Sequence, residues 1–257
     1  MSQESTFGRD ILSPERLMKF GAQLQRFPLA WSVGALGLRA MSQPRRARQI
    51  DDYLTSNPVR RLRFGSGRHT DEGWLSADLI PLAPNVVYMD ARKPLPLPSD
   101  SFDFIVCEHM IEHVDLSSAR RLLGEFARVL RRGGVLRIAT PDLGRLIRFV
   151  TRDEATNDDA AVYVRTMNAG IGGVPDDDID NAAYMINRVV RDWGHTFLFD
   201  EETLTGLLRR AGFTRIERGV PGESDHPDLN AVERHHEEIG ERINRIETLL
   251  LEALVSK

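Results

Sequence analysis

The stretch RFGSGRHTDEGWLSAD, Arg63 to Asp78, decides the reading of this chain. It follows a short apolar run, turns through Gly65-Ser66-Gly67, and reaches a second apolar run that ends in Asp78. A strand ending in two closely spaced glycines lets another group approach its backbone, because no side chain blocks the way. The next run, NVVYMD, also ends in an acid, Asp90. Two carboxylates are therefore expected at the same sheet edge as the glycines.

Carboxylates so placed accept hydrogen bonds from ribose hydroxyls and from an exocyclic amine, the donors of an adenosine. A dinucleotide would instead need a helix N-terminus directly after the glycines to meet its phosphates. Between Gly67 and Trp74 there is hardly room for one helical turn, and Asp71 and Glu72 repel an anion. The expected ligand is an adenosine without phosphate, and an NAD-type oxidoreductase ranks last.

Outward from this stretch, FDFIVCEHM and VLRIATPDL read as further strands, separated by LSSARRLLGEFARVLRRGG. That segment has Leu122, Leu123, Phe126, Val129 and Leu130 at helical spacing and stops at Gly133-Gly134. Strands alternating with crossovers predict an α/β fold, a Rossmann-like, mainly parallel sheet with helices on both faces. DEETLTGLLRRAGFTRIERGV adds a helix and a last strand, and PGESDHPDLN reads as turns, so no seventh strand is expected.

Three segments flank or interrupt this domain of residues 59–230. Residues 1–58 read as a helical extension, with pieces near 13–25, 28–41 and 44–55 punctuated by Pro28 and Pro44. Leu29, Trp31, Val33, Leu36 and Leu38, with Arg39, Arg45, Arg46 and Arg48 nearby, offer a peripheral membrane contact as the alternative to a cap. Residues 145–193 form a lid-like insertion, helical around 158–168 and 179–191. Residues 231–257 read as a C-terminal amphipathic helix: Val232, Ile239, Ile246 and Ala253 share one heptad position, and Ile243 and Leu250 the other. That helix either packs on its own domain or makes a homodimer, with His235 and His236 solvated on it.

With 257 residues, 41% hydrophobic, 28% charged and a net charge of −4, the chain is an ordinary globular protein and a poor general binder of nucleic acid. The single cysteine, Cys107, excludes a disulfide framework and fits a cytoplasmic setting. The apolar run Phe27 to Leu38 is too short to span a bilayer.

Taken together, residues 59–144 resemble the class I S-adenosylmethionine-dependent methyltransferases, in particular the group with a shortened first crossover and a GW…D second strand. DARKPLPLPSDSFDFIVCEHMIEHV, GEFARVLRRGGVLRIATPDL and ETLTGLLRRAGF extend the resemblance over about two-thirds of the chain. It implies S-adenosyl-L-methionine as cofactor. Gly65, Ser66 and Gly67 would border its methionine and ribose portions, Asp78 the ribose hydroxyls, Asp90 and the Ala91 backbone the adenine, and Glu108 the methionine portion. Arg63 stands where many members have an acid, and His69 where a third glycine is usual.

Methyl transfer from a sulfonium asks first for alignment, and a hydroxyl acceptor gains from a base. EHMIEH supplies His109 and His113 four apart, with Glu108 and Glu112 at the same interval. His109 is expected near the methyl group and His113 in packing or capping. His195, after the insertion, is expected to bind substrate or act as base, and Asp142, at another strand end, to touch substrate. His109, His113 and Glu112 or Asp142 could hold a divalent ion, but no H-E-x-x-H is present and no metal is assigned. The expected activity is O-methylation of a sugar, polyol or other small acceptor. N- or C-methylation of a metabolite or protein, and a non-catalytic scaffold, are the alternatives.

Overall fold

The computed structural model describes residues 28–151, 158–170 and 174–256. Seven strands form one sheet: β1 (Arg61–Phe64), β2 (Trp74–Asp78), β3 (Val86–Tyr88), β4 (Phe102–Glu108), β5 (Leu130–Pro141), β6 (Phe213–Arg218) and β7 (Thr248–Val255). Their order is β3-β2-β1-β4-β5-β7-β6. β1 to β5 run parallel, while β7 is antiparallel to both β5 and β6.

The strand order reverses at β1, which has β2 on one side and β4 on the other. In open parallel sheets such a reversal leaves a crevice beyond the carboxyl ends of the strands. Gly65-Ser66-Gly67 leaves β1 and His109 leaves β4 into that crevice. The link from β1 to β2 contains no helix, as its length predicted.

Helix α1 (Pro28–Ser56) is a single 29-residue helix that runs through Pro44 instead of breaking there. Tyr53 anchors its end: the phenol oxygen lies 2.8 Å from the Arg61 carbonyl, 2.9 Å from that of Gly73, and receives the Arg61 N–H at 2.7 Å. The predicted piece at 13–25 and the side chains of Leu29, Trp31, Val33 and Leu36 lie outside the described residues. Among the described residues, no helix is long and apolar enough to cross a membrane.

Helix α2 (Leu116–Val129) buries Leu122, Leu123, Phe126 and Val129 against the sheet, and Asp115 caps it by accepting the N–H groups of Ser117 and Ser118. The insertion forms α3 (Leu143–Thr151), α4 (Asp158–Ala169) and α5 (Ala182–Arg191). It has a core of its own, built from residues such as Leu146, Phe149, Tyr163, Met185 and Val189. Helix α6 (Glu201–Ala211) ends at Gly212, whose φ of 103° closes the C-terminus in the left-handed region.

The tail differs from the expected amphipathic helix. It folds as α7 (His236–Ile239), α8 (Glu241–Glu247) and then β7, the seventh strand that the sequence reading had missed. TLLLEALV lies between two strands and is covered on both faces, so it is apolar without alternation, and such a run reads equally well as helix or strand. Ile243 and Ile246 pack into the insertion's core, and Leu250 and Ala253 are buried in the sheet. The apolar residues expected to make a helix-pair dimer are thus spent inside the chain.

Candidate functional site

A cavity of about 690 Å³ lies over the crevice. The glycine turn, Glu108 and His109 form its floor, His113 and His195 one side, Met167, Arg188 and Trp193 the insertion's side, and Arg234, His235 and Glu247 the last wall. Gly65 and Gly67 have φ of 75° and 55°, which favour glycine. A Cβ on Gly65 would stand 2.4 Å from Met110 Cγ, whereas one on Gly67 would meet nothing within 4 Å. Gly67 is where the backbone is open to a ligand.

The predicted acids are built into the chain. The Asp78 carboxylate accepts the N–H groups of Gly67 and Ile80, each at 2.8 Å, and so sets the shape of the turn. Asp90 is gripped by the Arg92 fork at 2.8 and 3.0 Å; burial opposes its ionisation, but Arg92 outweighs this and holds the carboxyl below its usual range. Asp78, Asp90 and the buried Ala91 share the sheet edge with the glycines, yet do not line the cavity. Glu108 accepts the N–H groups of Arg234 and His235 at 2.8 and 2.9 Å, fastening the loop before α7 over the strand ends. Arg63 is buried and pairs with Asp71 at 2.7 Å.

Asp142 corrects the sequence reading. Its carboxylate receives the N–H of Arg145, at the start of α3, at 3.0 Å and the Arg218 guanidinium at 2.7 Å, and it does not line the cavity. A helix cap and an ion pair occupy the group expected to touch substrate.

The histidines do converge. His109, at a strained φ of 42°, sets its Nδ1 3.3 Å from the fully buried Glu112 and its Nε2 3.3 Å from the Thr248 hydroxyl. Burial would lower the pKa of His109, but Glu112 outweighs it and raises the value. Burial likewise opposes the charge of Glu112, and the partnership with His109 overcomes it, so the Glu112 carboxyl titrates below its usual range. Both nitrogens of His109 are engaged, which leaves it ill suited to the role of base predicted for it.

His195 is better suited. Its Nδ1 meets the Val189 carbonyl, which can only accept, so Nδ1 carries the proton and Nε2 is the basic nitrogen. Burial pulls its pKa down, so the imidazole is neutral at neutral pH. Two N–H groups donated to the Glu112 carbonyl, from Thr196 and Phe197, tie this segment beside the turn after β4. The exposed His113 ring lies 5.1 Å from the His195 ring.

Sequence reasoning missed His235, Glu247 and Tyr163. The His235 ring stacks on His109 at 3.7 Å between centroids, instead of standing in solvent. Its Nε2 lies 2.9 Å from Glu247 Oε1, and Tyr163 donates to Glu247 Oε2 at 2.8 Å. Burial would keep Glu247 protonated, but His235, His109 and Tyr163 outweigh it and lower the pKa. Recognising β7 would have revealed them. An antiparallel strand begins at the edge where its parallel neighbours end, so Thr248 pairs with Pro141 and carries Glu247 to the cavity.

Residues 70–138 match the methyltransferase domain family. No curated protein matches the sequence. Among solved structures, the chain is similar to a SAM-dependent methyltransferase from Archaeoglobus fulgidus, with 21% identity over 84% of this chain and 94% of that one at a TM-score of 0.45. It is also similar to a SAM-dependent methyltransferase from Thermotoga maritima, with 17% identity over 91% and 97% at 0.42. A third is the Haemonchus contortus phosphoethanolamine N-methyltransferase 2 solved with S-adenosyl-L-methionine, with 15% identity over 78% and 49% at 0.43.

The residues present fit that cofactor. Gly67 offers open backbone, and the buried Ser66 hydroxyl beside it has no hydrogen-bond partner among the described residues. The cavity of about 690 Å³ lies within the range of small-molecule and cofactor sites. Residues 70–138 thus match a methyltransferase domain, and the sheet that holds them reverses its strand order at the glycine turn.

Proposed function

We propose that the protein O-methylates a hydroxyl of a small acceptor such as a sugar or polyol. The observation that supports this reading is a single cavity lined by both the open Gly67 backbone and His195, whose Nε2 is free of the ring proton. Bound S-adenosylmethionine would supply a methyl group on a positively charged sulfur. Gly65, Ser66 and Gly67 would border its methionine and ribose portions, with Asp78 shaping their turn from behind. His195 Nε2 would take the acceptor's hydroxyl proton as the methyl group is transferred from that sulfur.

N-methylation of a cationic amine is less favoured. Glu108, Glu112 and Glu247 on the cavity wall are each engaged with donors of the protein itself. The net charge of −4 argues against nucleic acid as acceptor, and the lone buried Cys107 supports a cytoplasmic setting.

Calorimetry with S-adenosylmethionine and its demethylated product, followed by product masses from a panel of hydroxyl and amine acceptors, tests this. Binding of the cofactor and a 14 Da gain (about one CH₂, the net addition of a methyl for a proton) on hydroxyl acceptors are expected. Absence of binding, or transfer to amines alone, overturns the reading.

A further inference from the structure

We propose that Arg188 binds an anionic group of the acceptor, a carboxylate or a phosphate, and so selects an acidic sugar or polyol derivative. That the anion belongs to a methyl acceptor rests on the O-methylation reading; the anion site itself does not. Among the described residues, the cavity is lined by Arg63, Arg188 and Arg234. Asp71 meets two of them, Arg63 at 2.7 Å and Arg234 at 3.1 Å. Arg188 has no such partner. Its Nη1 donates to the Met167 carbonyl, while Nη2 and the buried Nε make no hydrogen bond among the described residues. The nearest carboxylate, Asp192, stands 3.8 Å from Nε and is 56% exposed, so it holds the cation only weakly. A guanidinium presents its N–H donors as a planar fork that matches a carboxylate or a phosphate, and this one has donors to spare on the cavity wall.

The chain fixes this guanidinium beside the base. Val189, the next residue of α5, gives its carbonyl to His195 Nδ1. Trp193 spans the two: the guanidinium lies over its ring, 4.9 Å from the centroid, and the His195 ring is 5.8 Å away. Trp193 has a φ of 59°, a strained conformation for so bulky a residue and one of the kind that gathers at binding sites. An anion on Arg188 and a hydroxyl on His195 therefore sit close enough to belong to one small molecule. The carboxylates of the opposite wall do not cancel the attraction. Glu108 accepts backbone N–H groups, Glu112 faces His109, and Glu247 is bonded by His235 and Tyr163.

Two sets of matched probes test the site on the full chain: glucose, glucuronate and glucose 6-phosphate, and glycerol, glycerate and glycerol 3-phosphate. Calorimetry in the presence of the demethylated cofactor reads binding, and product masses with S-adenosylmethionine read transfer. An anionic member of a set should bind at least about 10-fold more tightly than its neutral member, and which one does so separates carboxylate from phosphate. Arg188→Gln, with native folding checked by circular dichroism, should lose about 10- to 100-fold of the anion's affinity and erase the preference. In transfer the loss should fall on KM more than on kcat, because the anion stands apart from the reacting atoms. Should Arg188→Gln not fold, Arg188→Lys, which keeps the charge without the planar fork, must show a weakened preference.

Absence of any anion preference in both sets, or a preference that survives the substitution at Arg188, overturns the proposal. Methyl transfer to neutral members as efficient as to anionic ones would remove the role of Arg188 and leave O-methylation standing. Anion binding that depends on Arg188, without methyl transfer to any hydroxyl, would do the reverse.

Discussion

The guanidinium of Arg137, on strand β5, is bonded to the carboxylate of Glu233, 96 residues further along the chain. Arg137 is 1% exposed and also reaches Glu252 and the carbonyls of Glu223 and Val220. The loop that carries Glu233 continues into Arg234 and His235, whose N–H groups bind Glu108. The sheet therefore positions His235 in the cavity through two carboxylates, the buried Glu233 and the partly buried Glu108.

Arg137→Met leaves Glu233 and Glu252 without their cation. Removing one member of a buried ion pair typically costs about 3–5 kcal/mol. Urea denaturation should show a loss of that size. A change below about 1 kcal/mol, the value of an exposed pair, would mean that the network is not what fastens this loop.

The two glycines of the turn should respond differently. Gly65→Ala meets both a positive φ, worth about 1–2 kcal/mol, and Met110 at 2.4 Å, so stability falls. Gly67→Ala meets only the backbone cost and should stay folded, yet its methyl group enters the space a cofactor would use. Calorimetry should show weakened S-adenosylmethionine binding by folded Gly67→Ala; affinity equal to the parent's would place the cofactor elsewhere.

The pH dependence of transfer follows from His195. Burial lowers its pKa below the ordinary 6.5, with Glu112, His113 and His109 as charged neighbours, and the base must be neutral to act. The rate should rise with pH, with its midpoint below pH 6.5. For stability, the unfolded chain binds more protons than the folded one between the folded pKa and 6.5. Acidification through that window therefore destabilises the fold. His195→Gln should lower kcat by about 100- to 10,000-fold and abolish the acid limb of the rate profile.

Cys107 is fully buried on β4, and burial, followed by the charges of Glu112 and Glu108, raises its thiol pKa well above normal. The thiolate is the reactive form. A maleimide should leave the native protein unlabelled and react in urea. Rapid labelling of the native protein would contradict the packing of β4.

The sequence made the parallel half of the molecule readable because glycines and acids end its strands, and because α2 buries Leu122, Leu123 and Phe126 at helical spacing. The cavity was harder to read. Asp142 and His109 were placed at the right strand ends, but the partners that engage them, Arg218 and Thr248, come from far later in the chain. Spacing reveals where a side chain starts, not what it meets. His235 and Glu247 stayed hidden because β7, buried on both faces, carries no alternation to separate it from a helix.

The position of β7 also constrains how the molecule is assembled. Although β6 precedes β7 in the sequence, among the described residues it hydrogen-bonds to the sheet only through β7. During synthesis β6 must wait, unpaired, until residues 248–255 have emerged and can insert beside β5. Folding of the parallel strands can run ahead of the synthesis of residues 248–255, but closing the sheet cannot. A protease cut in the intervening loop would separate that last insertion from the rest of the chain.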